Sequence, residues 1–186
     1  MKKIYRYKFL REGMKSENGD HVWEVGRKYT FKDSLELCKS GFHASKGIYQ
    51  AFSYVQGEIL VKVECSGKHL SDDTKEVWSE MKVTRCWKWQ KIDSVLFSIY
   101  AARLVLDNYE KEYPNDKRVR QAIEAAENYA KNPIEENMLA AESAAESAAE
   151  SAAWSAARSA RLAAESAIYK KLDIWMLKHL KSLKKG

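Results

Sequence analysis

Near Asp93 the hydrophobic period of this chain changes from two residues to about 3.6, and that change constrains its fold more than any other feature. Upstream, short segments alternate apolar and polar residues and are broken by Gly, Asn and Asp, the pattern of half-buried strands and turns. Downstream, Val95, Leu96, Ile99, Ala102, Leu106 and Tyr109 form one apolar stripe, with Asp93 or Ser94 as N-cap. The 186-residue chain is therefore expected to be α+β. A small β-rich recognition domain over 1–91 precedes an all-α domain over 92–186, a helical hairpin or bundle containing a long Ala-rich helix.

In the front half, Ile4 to Leu10 alternates apolar and basic residues and reads as a strand with one wet face. Asn18-Gly19 is a turn signal, because glycine takes positive φ without steric cost. His21 to Gly26 reads as a second short strand, Ser34 to Lys39 as one helical turn, and Phe42 to Ser45 as extended. Ile48, Ala51, Phe52 and Val55 share a helical face, and Gly57 ends that helix. Glu58 to Cys65 has a continuous apolar middle and is expected at the centre of the sheet, closed by Gly67. Val77 to Trp87 alternates again and should pair with a neighbour.

In the rear half, the first helix must stop before Pro114, which lacks an N–H and clashes with the preceding turn. Asn115-Asp116 caps a second helix to about Lys131, and Asn132-Pro133 followed by two acids starts a third. From Ala140 the chain steps in fours through AAES, AAES, AAES, AAWS and AARS, a repeat over about 140–167. Alanine has the highest helix propensity, and an Ala/Ser surface lets neighbouring helices approach closely, so the repeat is expected to serve as scaffold or homo-oligomer interface.

Composition limits the function classes. The odd, scattered Cys38, Cys65 and Cys86 form no CxxC and no disulfide framework, and are expected as small core residues. Charge interrupts the N-terminal apolar residues, and no stretch reaches the roughly 18 apolar residues of a bilayer span, so a cytoplasmic protein without membrane contact is expected. The net charge is +6, and the last 17 residues hold six Lys against one Asp. That tail either meets phosphate or an acidic partner, or complements its own helix dipole.

No GxGxxG, Walker, HExxH or GxSxG motif occurs, and neither cofactor nor metal is expected. Asp72, Asp73, Glu76 and Glu80 cluster closely enough to suggest paired acid–base carboxylates, although acids on a solvated strand give the same pattern. Lys82, Arg85, Lys88 and Lys91 interleave with Trp87 and Trp89, as in single-strand nucleic-acid binders, but tryptophans turned inward and lysines outward account for that without a ligand. His43, in Gly41-Phe42-His43-Ala44-Ser45, is either a ligand-binding residue or a structural histidine bonded to a backbone carbonyl.

The stretch from Gly41 through Ala51 and Tyr54 to Gly57 and the following strand is similar in outline to half of an ADP-ribosyltransferase site, where such elements frame a nicotinamide pocket. That resemblance implies a nucleotide ligand at His43, Ser45, Tyr54 and Trp23, and a catalytic Glu for which Glu64, Glu76 and Glu80 all qualify. Tyr7 to Leu10 with Gly13 to Ser16 and Val22 to Gly26, Cys38 to Gly57, and Glu76 to Met81 together resemble an uncharacterised phage and bacterial family. Tyr113 to Arg118 with Ala122 to Ala126 resembles the helical region of proteins labelled putative immunity proteins. These resemblances imply a phage or prophage setting and a non-enzymatic protein that binds a host or defence-system component, with a nucleotide-binding or enzymatic front domain as the alternative.

Overall fold

A computed structural model describes residues 3–55, 57–72, 75–144 and 164–183, with 164–169 as backbone alone. The fold is α+β, β-rich in front and helical behind. In chain order the elements are β1 (Ile4–Leu10), a 3-10 turn (Glu12–Met14), β2 (Lys28–Thr30), β3 (Phe42–Ser45), α1 (Ile48–Tyr54), β4 (Ile59–Ser71) and β5 (Lys75–Lys88). Then come α2 (Lys91–Glu112), α3 (Arg118–Lys131), α4 over 135–144, and α5 (Ala164–His179). Residues 145–163, most of the Ala/Ser repeat, lie outside the described residues. Among the described residues no helix is long and apolar enough to cross a membrane.

Two compact units share the chain: Met1–Trp89 with Asp173–Gly186, and Gln90–Leu172. The last segment thus groups with the front unit, where the sequence suggested a helical domain unbroken to 186. Physical contacts explain the assignment. Asp173 Oδ1 accepts the Tyr49 N–H at 2.9 Å, so it caps α1, and the His179 ring meets Trp89 edge-on at 5.9 Å. Met176 and Leu180 are buried.

In the front unit all strand pairings are antiparallel, and they close on themselves. β1 pairs with β4 from Ile4↔Cys65 to Leu10↔Ile59, β4 pairs with β5 along its length, β5 pairs with β3, and β3 returns to β1. β2 adds to the outside of β5. Pleating gives the ring two apolar faces. Leu10, Val61, Val63, Cys65, Met81 and Val83 pack with Trp23, Ala44 and Trp78 on one. On the other, Phe9 meets Phe52 and Trp89, each at 5.5 Å between centroids. Each fully buried Val, Leu, Met or Phe among them contributes about 1.5–3 kcal/mol by leaving water.

The continuous run in β4 has the expected cause: β1 and β5 flank residues 59–65, and Leu60, Val61 and Val63 are fully buried. Gly67, however, does not end the strand. At φ 81° it takes up a register shift between Ser66 and His69, and β4 runs on to Ser71. His21–Gly26 is not a strand. Its strand-like pairing among the described residues is limited to the isolated bridges Lys15↔Val22 and Val25↔Val83, and the buried Trp23 side chain anchors the segment in place of a ladder. Ser34–Lys39 is no helical turn either, since Glu36 and Ser40 exchange N–H···O bonds around a tight reversal.

In the helical unit, the cap of α2 lies three residues before Asp93, the earlier of the two expected caps. Gln90 is the N-cap, and Asp93 accepts its N–H at 2.7 Å from the first turn. Phe97, absent from the expected stripe, is buried with Leu106 and Tyr109. Asp116 accepts the Arg118 N–H at 3.0 Å and the Tyr109 hydroxyl at 2.9 Å, so it starts α3 and ties it to α2. α4 opens at 135, not at Pro133, with the Ile134 carbonyl accepting from Met138.

Inside the ring one ion pair spans non-adjacent strands. Arg6 of β1 grips Glu76 of β5 with two bonds, 2.6 and 2.9 Å, and the Trp78 indole donates to the same carboxylate at 3.0 Å. Glu76 is only 3 % exposed. Burial pushes its pKa up, but the Arg6 bonds and charge, with Trp78 and Lys46, outweigh burial and hold it below the ordinary 4.5. A depressed carboxylate adds stability that is complete above its unfolded value and lost as pH falls through the folded one. Acid should therefore destabilise the protein below about pH 4.5, and Glu76→Gln should flatten that limb in urea unfolding followed against pH. At pH 7, Arg6→Met strands a buried charge and should cost roughly 3–5 kcal/mol.

Candidate functional site

The ring closes weakly at one place. β1 and β3 share a single register pair, Tyr7↔Ser45, while each is fully laddered on its other edge. A cleft of about 580 Å³ opens at this seam, within the range of roughly 300–1,000 Å³ usual for small-molecule sites. Its walls come from both sheet faces: Lys8, His21, Trp23 and Phe42 from one side, Tyr7, Ala51 and Tyr54 from the other.

All four residues singled out as ligand contacts, Trp23, His43, Ser45 and Tyr54, line this cleft. Their surroundings differ. Tyr54 is 48 % exposed, with the Lys75 ammonium 4.9 Å from its ring centroid. Trp23 is buried and donates its indole N–H to Ser16 Oγ at 2.9 Å, so it shapes the wall. Ser45 is also buried, at the seam pair itself.

His43 is tied to backbone, with backbone hydrogen bonds to Gly41 and Glu36. Its Nε2 accepts the Cys38 N–H at 2.9 Å, pinning the 36–40 reversal where Cys38 sits at φ 66°. Burial, then the Lys8 charge, lowers the His43 pKa below 6.5, with smaller opposing help from the Gly41 and Glu36 backbone. The neutral ring that results is the one able to accept.

Lys8 was hidden by its own pattern. The basic residues of β1 suggested a wet face, yet Arg6 and Lys8 share pleat parity with Ile4 and Leu10, which pack on the Trp23–Trp78 core. Tyr5 is the exposed side chain of this strand, at 40 %. The Lys8 amine donates to the His43 carbonyl at 3.3 Å and stands 5.9 Å from the Trp23 ring. Burial pushes its pKa down to about 8, opposed in part by Cys65. Parity with Leu10 was the available signal.

His21 was missed as well. Its ring lies edge-on to Trp23 and Tyr29, both at 4.6 Å, and its Nε2 is buried without a hydrogen-bond partner among the described residues. Burial, then the charges of Lys8 and Arg27, depresses its pKa.

The carboxylate cluster does not reach the site. Glu76 belongs to Arg6; Glu80 takes Lys28 at 2.8 Å and Ser66 at 2.5 Å; Glu64 takes Lys3 at 3.4 Å and Lys82 at 3.6 Å. Asp72 accepts the Lys75 N–H at the hairpin, and Asp73 lies outside the described residues. Among the described residues Glu17 is the one acid lining the cleft, and Arg11 holds it in a two-bond pair. The cleft is therefore cationic and aromatic, with no free carboxylate to act as a base. Cys38, expected in the core, is exposed and lines the cleft, whereas Cys65 is buried with its thiol pushed up to about 12 by burial. No group of three or more His, Cys, Asp or Glu among the described residues is placed to hold a metal.

The nucleic-acid set Lys82, Arg85, Trp87 and Lys88 does not assemble. Trp87 is 7 % exposed, opposite Leu60 in the β4–β5 ladder, and Lys82 pairs with Glu64. Arg85 and Lys88 are exposed, but no ring of this set is available for a base to stack on.

Since His43 is depressed, the stability it adds is present above about pH 6.5 and fades as pH falls through its folded value. His43→Ala should cost about 1 kcal/mol at pH 7 and speed amide exchange at Cys38. Urea unfolding and hydrogen-exchange mass spectrometry would measure both, and the stability difference should shrink toward pH 5.

Residues 4–94 match the model of a family described as Domain of unknown function (DUF7666), a span that includes the whole sheet and all the cleft residues named above. No curated protein and no solved structure matches the chain.

Proposed function

We propose that this protein acts by binding, and that its front-unit cleft takes a small anionic molecule with an aromatic ring, of the nucleotide class. The observation that carries this reading is Lys8. Its strand neighbour Arg6 has Glu76, but the polar partner of the Lys8 amine is a backbone carbonyl. A part-buried cation of this kind in a cleft is stabilised by an incoming anion, and a charge-assisted hydrogen bond adds about 1.5–3 kcal/mol. Tyr54 with Lys75 supplies an exposed ring and a second cation on the same cleft.

The resemblance to phage sequences supports a setting in which the protein holds such a ligand away from a host or defence component. The Ala/Ser repeat then serves as a helical scaffold or self-association surface, a role resting on alanine's helix propensity.

Calorimetric titration with a panel of nucleoside mono- and diphosphates and dinucleotides tests the proposal. At least one should bind with a dissociation constant in the micromolar range, about −8 kcal/mol, and Lys8→Met should weaken it roughly ten- to hundredfold. If none binds at millimolar concentration, while a host protein co-purifies at stoichiometric yield, the ligand reading fails.

A further inference from the structure

We infer that Lys8 is a covalent capture site, whose amine condenses with the aldehyde group of an anionic aromatic ligand to form an imine. The inference rests on the seam cleft being the ligand site. Two observations on that cleft carry it. The Lys8 side chain reaches the cleft from the core face of β1, with its amine held at 3.3 Å by the His43 carbonyl and the Trp23 ring alongside. The second is the His21 imidazole on the same cleft, whose buried Nε2 has no hydrogen-bond partner among the described residues and which feels the Lys8 charge.

The chemistry needs both groups. Lys8 must first lose a proton, and the unpartnered His21 nitrogen is a nearby acceptor. The amine lone pair then attacks the carbonyl carbon, the new C–N bond forms, and the C=O π electrons move to oxygen. One proton passes from the new ammonium nitrogen to that oxygen, giving the carbinolamine; a second, from the His21 imidazolium, makes the hydroxyl leave as water, and the nitrogen lone pair closes the C=N bond of the protonated imine. Amine and aldehyde give imine and water, so no electrons are gained or lost and no further reactant is needed. The His43 carbonyl can accept the N–H of the protonated imine, and the Trp23 face favours its positive charge.

A desolvated lysine is suited to this step. With a pKa of about 8, roughly a tenth of Lys8 is the free amine at pH 7, against less than about one part in a thousand for an ordinary lysine. Other cleft lysines are poorer nucleophiles. Lys39 pairs with Glu36 at 2.6 Å, and the Lys75 pKa is raised, chiefly by Cys38. The groups that set the Lys8 titration are Cys65 on β4, with His43 on β3 and His21 facing the same charge.

The test uses the full chain and pyridoxal 5′-phosphate as a probe, at less than one equivalent, with cyanoborohydride trapping and peptide mass mapping. Lys8 should be labelled at least about tenfold faster than Lys39 or any other lysine at pH 7. A nucleotide found by the binding panel should protect it. Lys8→Arg should lose the fast adduct without changing the labelling of the remaining lysines. Labelling of Lys8 no faster than Lys39 overturns the capture; if nucleotides still bind, the ligand proposal survives alone. Slow labelling together with no nucleotide binding overturns both.

Discussion

The ion pair between Arg6 and Glu76 is the constraint on which the front unit depends. It lies inside a closed ring of strands, joins two strands that are not neighbours, and also takes the Trp78 indole. A buried pair of this kind adds little net stability compared with apolar packing, but losing one partner is severe. It therefore fixes which strands face each other more than it raises stability. It also uses up the acid nearest the inward cations of β1. Lys8, two residues along on the same face, is left to a carbonyl and a tryptophan ring.

The seam follows from how the sheet closes. A long β4–β5 hairpin with register shifts curls far enough for β3 to meet β1, but only at Tyr7↔Ser45. Closing the seam further would bury the Lys8 charge more completely. The backbone also limits adjustment nearby, because a Cβ at Gly57 would run into the Leu10 carbonyl, so only glycine lets the α1–β4 connection pass there. A gap between two strand edges, walled by residues from both sheet faces, is the result. His43 and Cys38 hold one lip, and Asp173 steadies α1, which carries Tyr54 on the other.

Much of this was legible in the sequence. The period change near Asp93, the central run of β4 and the strand from Phe42 all follow from local pattern, and each corresponds to an observed element; the cap of α3 falls at Lys117, one residue past Asp116, whose carboxylate still accepts the Arg118 N–H. The four proposed ligand residues also meet in one cleft. What escaped was set by distant partners. Whether Lys8 faces water or core depends on which side of β1 the ring closes, and the strand's own alternation is compatible with both. Gly67 signals a break, but only the pairing with β5 shows that the break is a bulge. Trp87 among basic residues has the composition of a stacking platform, and burial against the β4 ladder removes it from that role.

The central claim is that Lys8 is a part-buried cation awaiting an anion, and its own titration tests that most directly. Heteronuclear NMR of the lysine side chains against pH would follow the Lys8 amine individually. The structure predicts a midpoint of about 8 in the free protein, moving upward when an anionic ligand fills the cleft. A midpoint near the ordinary 10.5, unmoved by any ligand, would mean that Lys8 is solvated and the seam is no site.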